Sequence, residues 1–292
     1  MVKRILIFVF FVTCCYSEMY AQNTSYEYFG AIKLNDTSVI TYNLNFKEEK
    51  GSIKGYSITD LGGEHETRSL IFGEYNQEEK ELSFRETAIV YTKSTFAHED
   101  FCHINFTTKN YKLGDKKIGG KFIGLFSDNT RCIDGEILLN ESGKIEQRIT
   151  KVTKKINRIK RIPDSIKQRA DVNKLMDSLK MNILRNGKTL NLFSKHEKIT
   201  ISIYDGGQVD GDIIDVFLDN KLVLKDFIVN KTPKLLPIKL TEKRRVIKIV
   251  AKNTGTISTN TAVLEFISSD FKVRALTNLK LNEHTSIAIY KQ

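Results

Sequence analysis

Between residues 26 and 140 the chain runs as short segments in which apolar and polar positions alternate. YEYFGAIKL, VITYNLNF, SIKGYSITD, RSLIFGEYN, ELSFRETAIVY, FCHINFTTK, KIGGKFIGLF and CIDGEILL are each rich in Tyr, Phe, Ile, Val and Thr. Such side chains suit a half-buried pleated surface. Between the segments stand Asn35-Asp36, Lys50-Gly51, Leu61-Gly62-Gly63, Leu113-Gly114-Asp115 and Ser127-Asp128-Asn129, residues that accept the backbone angles of tight turns. The spacing predicts about eight strands in a meander, which either closes into a barrel or folds into a sandwich. Closure removes the unpaired edges that invite aggregation. Glycines inside the segments (Gly30, Gly55, Gly73, Gly119, Gly120, Gly124) suit the sharp coiling of a small barrel. Inward and outward positions are expected to alternate along Val39–Phe46 and Leu82–Val90.

The period changes after residue 141. Ile145, Ile149, Val152, Ile156, Ile159 and Ile162 are spaced 4, 3, 4, 3 and 3 apart, a helical stripe rather than a strand alternation. Pro163 ends this helix, and Asp164 or Ser165 caps a second, whose stripe is Ile166, Ala170, Leu175, Met176, Leu179 and Ile183. Asn186-Gly187 offers a C-terminal stop. From residue 191 onward the strand pattern returns, clearest in Ile199, Ile201 and Ile203 and in Val246, Ile247 and Ile249. Asp219-Asn220 is a hairpin signal. About seven strands in the last hundred residues predict an antiparallel β-sandwich of immunoglobulin-like size.

The expected fold is therefore mainly β. A lipocalin-like eight-stranded barrel spans 22–141, a basic helical linker 142–190 and a β-sandwich 191–292. The segments SIYDGGQVDGDIIDVFLDNKLVL and IVAKNTGTISTNTAVLEF resemble a C-terminal module of exported Bacteroidetes-type proteins. The resemblance implies compartment and fold for roughly the last hundred residues and carries no activity with it.

The N-terminus points the same way. Lys3 and Arg4 precede the apolar run Ile5–Cys15, and Ala21-Gln22 offers a cleavage point, so residues 1–21 read as a signal peptide. The run is shorter than the ~20 apolar residues that cross a bilayer. The protein is expected in the periplasm, at the cell surface or secreted. Lipid attachment at Cys14 or Cys15 is the variant reading. Cys102 and Cys132 remain in the mature chain, an even pair that an oxidising compartment would join as a disulfide.

The chain carries a net charge of +11. Residues 144–198 hold 16 Lys and Arg against 5 Asp and Glu, so this stretch accounts for the whole excess. Without aromatic interleaving, and behind a secretion signal, it does not read as a nucleic-acid site. Its apolar face lacks the Trp, Phe or Leu anchors of an interfacial helix, so peripheral contact with an anionic membrane is not the favoured reading. The two stripes are expected to pack on each other, on a domain or on a second copy in a homodimer, with the basic face solvated.

Two constellations are candidates for chemistry. Asp205, Asp210, Asp212 and Asp215 fall in eleven residues with three glycines, and calcium takes hard oxygens on a flexible loop. The alternative is a turn whose Asp side chains bond its own backbone. In the N-terminal region Glu64, His65, His98, Glu99 and His103 form a polar group on loops. They lack HExxH spacing, and no nucleophile-elbow or phosphate-loop motif occurs. The expected function is non-enzymatic binding or a structural role, with a small ligand in the barrel and no cofactor. A hydrolase of polysaccharide or peptide, acting through barrel-loop carboxylates such as Glu64 and Glu99, is the alternative.

Overall fold

The computed structural model describes residues 25–34, 38–95, 100–143, 181–256 and 259–292. The segment read above as a signal peptide, most of the basic segment with its two stripes, and His98 and Glu99 lie outside the described residues.

Eight strands make up the N-terminal region: β1 (Ser25–Leu34), β2 (Ser38–Glu49), β3 (Ser52–Thr59), β4 (Thr67–Asn76), β5 (Glu81–Thr92), β6 (His103–Thr108), β7 (Lys117–Leu125) and β8 (Arg131–Glu141). Each pairs antiparallel with the next, and β1 pairs with β8, so the meander closes into an up-and-down barrel. Alternation along β2 sends Tyr42, Leu44 and Phe46 inward, where they are buried, and leaves Val39 outside and 67% exposed. Residues of all eight strands fill the interior, with Tyr28, Ile53, Ile71, Phe84, Phe106, Ile118 and Ile137 among them.

The C-terminal region contains β9 (Asn182–Leu184), β10 (Thr189–Ser194), β11 (Lys198–Tyr204), β12 (Ile213–Leu218), β13 (Lys221–Ile228), β14 (Lys234–Lys239), β15 (Arg244–Ala251), β16 (Val263–Ile267), β17 (Lys272–Thr277) and β18 (His284–Lys291). One layer runs β13-β12-β15-β18-β10 and the other β14-β11-β16-β17-β9. Ile199, Ile201 and Phe266 from the second layer share one core with Val216, Ile249 and Ile287 from the first. The Asp219-Asn220 turn closes the β12–β13 hairpin, both residues at positive φ. The first layer continues onto the barrel: Asn191 and Leu192 of β10 pair with Thr92 and Tyr91 of β5. Val90 and Tyr91 accordingly bury in the C-terminal core.

Two expectations are corrected. The helical linker does not extend to residue 190, and almost no helix is found among the described residues. Ile183, the last member of the second stripe, lies in β9, and Asn186-Gly187 sits in the connection between β9 and β10. Nor are the C-terminal layers purely antiparallel, because β9 pairs parallel with β17 and β10 parallel with β18. Both corrections share a cause. The partners of β9 and β10 lie about ninety residues downstream, and they supply a ladder that local periodicity does not report.

Candidate functional site: the mouth of the barrel

The β1–β2, β3–β4, β5–β6 and β7–β8 connections lie at one end of the barrel. There the interior opens into a cavity of about 250 Å³. Ile32, Ile40, Ile89, Phe101, Ile104 and Phe122 make its wall mainly apolar, and Thr67, Ser69 and Glu86 add polar groups.

Glu86 lies deepest in the sequence logic of this site. In β5 the inward positions run Leu82, Phe84, Glu86, so a carboxylate occupies a slot that alternation assigns to the core. Only 6% of the residue is exposed. Tyr42 Oη donates to its Oε1 at 3.1 Å, Ser57 Oγ to the same oxygen at 2.5 Å, and the Ile104 backbone N–H to Oε2 at 2.9 Å. Burial pushes its pKa up, and the three donors oppose that shift without cancelling it. One residue later the ladder slips. Ile71 pairs with Glu86 but Leu70 with Ala88, so Thr87 is bulged outward and Ile89 takes the next inward slot. Bulges of this kind re-aim side chains beside sites. This one puts Ile89 over the cavity, and a second slip, where Ser69 pairs with Ile89 but Arg68 with Tyr91, lets both Val90 and Tyr91 reach the C-terminal core.

The disulfide secures the same end. Cys102, just before β6, is bridged to Cys132 at the start of β8, with Cα atoms 6.1 Å apart. Strand β7 lies between β6 and β8, so the bridge passes over it at Gly124. A Cβ there would fall 2.4 Å from Cys102 Sγ and 2.2 Å from the Ile133 carbonyl oxygen. Glycine is what allows the bridge to cross its neighbour.

The sequence-predicted polar residues are scattered by the fold. His103 is buried and lines the mouth cavity, and His65 borders it, its backbone N–H donating to Asp60 Oδ2 at 3.0 Å. Glu64 is exposed and paired with Lys188 at 3.1 Å, which holds its carboxyl below the usual range. It borders a second cavity of about 180 Å³ at the junction with the C-terminal layers. Glu66 also lines that cavity. It is buried and satisfied by Tyr91 Oη at 2.8 Å, the Gly62 N–H at 2.6 Å and Lys93 Nζ at 3.0 Å. Sequence reasoning passed over Glu86, although a carboxylate in phase with Leu82 and Phe84 was a readable signal.

The four aspartates separate into three places. Asp205 Oδ1 accepts the Gly207 N–H at 2.6 Å, and Asp215 Oδ1 accepts the Asp226 N–H at 2.7 Å while Lys252 lies 3.5 Å from Oδ2. Asp205 therefore serves its own turn, and Asp215 ties β12 to the backbone of β13. Asp210 and Asp212 stay together, within hydrogen-bonding reach of one another. Among the described residues no three His, Cys, Asp or Glu side chains converge as metal ligands.

Comparison with protein-family models, with curated proteins and with solved structures returns no match. The site is read from its geometry.

Proposed function

We propose that this chain is an exported binding protein of the periplasm or cell surface, lipocalin-like in that the mouth of its barrel receives one small, mainly apolar ligand. The observation that carries this reading is a 250 Å³ apolar cavity with a buried carboxyl at its inner wall. Binding pockets combine an apolar lining with a few placed polar groups in this way. The volume lies below the ~300–1,000 Å³ of drug-sized sites, so the ligand is short-chained or built on one or two small rings. A carboxylate offers about four acceptor positions, and three donors occupy Glu86. The remaining position suits a ligand hydroxyl or amine. The Cys102–Cys132 bridge supports an oxidising compartment.

The test is titration of the purified protein with 6-propionyl-2-(dimethylamino)naphthalene, a two-ring fluorophore that brightens in apolar surroundings. One saturable site is expected. Ser69 points into the cavity from β4, so Ser69→Phe should fill it and abolish the signal, whereas Glu86→Gln should weaken binding of amine-bearing competitors. Undiminished binding to Ser69→Phe would overturn the proposal.

A further inference from the structure

At one end of the C-terminal layers the turn that leads into β12 meets the loop that leads into β16. Asp212 stands at this meeting point and is only 1% exposed. Its Oδ2 accepts the Thr261 N–H at 2.7 Å and Thr261 Oγ1 at 3.2 Å. Its Oδ1, also buried, has no donor. Beside it the carboxyl of Asp210 lies flat on Gly255, where φ is +58° and a Cβ would come within 2.6–2.8 Å of the whole group. Asp210 Oδ1 is likewise buried without a donor.

A third oxygen belongs to the same junction. Asn260 is 0% exposed. Its Nδ2 donates to the carbonyls of Ile213 at 2.9 Å and Asn253 at 3.2 Å, which fixes the orientation of the amide, since only the NH₂ can face two carbonyls. The other amide atom is therefore the oxygen. The nitrogen side of the amide adjoins the backbone that follows Asp212, and the oxygen, buried in the same junction, has no donor. Buried acceptors are nearly always satisfied in folded proteins, and adjacent carboxylates repel unless something positive lies between them. Among the described residues no Lys or Arg forms an ion pair with Asp210 or Asp212.

We propose that Asp210, Asp212 and Asn260 bind one divalent cation, with calcium as the ion they suit. All three offer hard oxygens, and two carboxylates balance a charge of +2. Calcium accepts six to eight oxygens in loose geometry, water included, while magnesium demands a near-ideal octahedron and gives up its water reluctantly. Asp205, bound to its own turn, and Asp215, bound across to β13, take no part. The ion would tie the approach to β12, in one layer, to the approach to β16, in the other. It would act as a clasp between layers, independent of any ligand in the barrel. The rival occupant of the gap is a single proton shared by the two carboxyl groups.

The test is isothermal titration of the chelator-treated full-length protein with calcium chloride at neutral pH, with thermal unfolding alongside. Expected are one ion per chain, a Kd between about 10 µM and 1 mM, as in exported calcium modules and sensors, and a melting temperature that rises with calcium. Asp210→Asn and Asp212→Asn should each weaken binding at least tenfold. Asp226→Asn, an exposed change at a positive-φ position that asparagine tolerates, should leave it unchanged. Magnesium should bind at least tenfold more weakly. Absence of calcium binding in the folded wild-type protein overturns the proposal and leaves the shared proton in place. So does binding that survives in both variants, because it would then reside elsewhere.

Discussion

The two ends of the barrel are made from the same alternating strands and finish in opposite states. At the end away from the C-terminal layers, the loop between β6 and β7 folds Tyr111 inward. Its hydroxyl lies 2.8 Å from that of Tyr28, which also donates to the Asp115 carbonyl at 2.9 Å. Tyr75 meets the Tyr111 ring edge-on, and Phe46 stacks on Tyr28. Burial pushes the Tyr28 hydroxyl up to about 12, and that of Tyr111 higher still. This end is a plug. At the mouth, the bulge at Thr87 takes β5 out of phase, small polar residues Thr67 and Ser69 occupy inward slots, and a cavity remains. Alternation builds the wall of a barrel, but whether an end is solid or hollow depends on side-chain size at the last inward positions and on whether a loop turns in.

The largest effect should come from unsealing the plug. Tyr111→Ala removes a buried ring and leaves Tyr28 without its hydroxyl partner, so urea denaturation should show a loss of ~3–5 kcal/mol. A loss under ~1 kcal/mol would mean that the two ends are equally loose. Next is the bridge at the mouth. Replacing Cys102 and Cys132 together by Ser opens a loop of 30 residues, which the chain-entropy relation values at ~3–4 kcal/mol. Hydrogen exchange should then quicken in β6 and the start of β8, while the strand ends around Tyr28 and Tyr75 keep their protection. Uniform loss of protection would break the contrast between the ends. Phe101→Ala, at the half-buried rim of the cavity, should cost no more than ~1 kcal/mol, within the range of common single substitutions, and should enlarge the set of ligands bound.

The smallest effect is read by its sign. Because burial raises the Glu86 carboxyl, the folded state binds this proton more tightly than the unfolded chain does. Its contribution to stability is fully present below the unfolded Glu value of ~4.3 and is lost as pH rises through the folded value. Stability of the wild type relative to Glu86→Gln should therefore fall with rising pH across the weakly acidic range. A relative rise would mean that the three donors outweigh burial.

Much of the barrel was legible before any coordinates. Eight alternating segments, the turn residues between them and two cysteines led to strands, closure and a disulfide, all of which the fold contains. The cavity was legible only in part. His65 and His103 do border it, but Glu64 turns toward Lys188, and Glu86 was hidden in plain alternation. The aspartate turn was legible as a group but not in its arrangement: Asp205 caps its own turn, Asp215 bonds across to Asp226 in β13, and only Asp210 and Asp212 stay together.

What depends on neighbours along the chain could be read from the residues alone: the strand period, the turn residues between segments and the hairpin signal at Asp219-Asn220. Tertiary structure alone decided what depends on neighbours in space. It drew Ile183 and Leu190 into strands by giving them parallel partners in β17 and β18. It also joined β10 to β5, brought Tyr42, Ser57 and Ile104 onto one carboxylate, and set Asn260 beside Asp212. A local pattern reports which face of an element is apolar. Which distant groups that face will meet is settled only when the sheets close, since burial and hydrogen bonding are properties of the assembled chain.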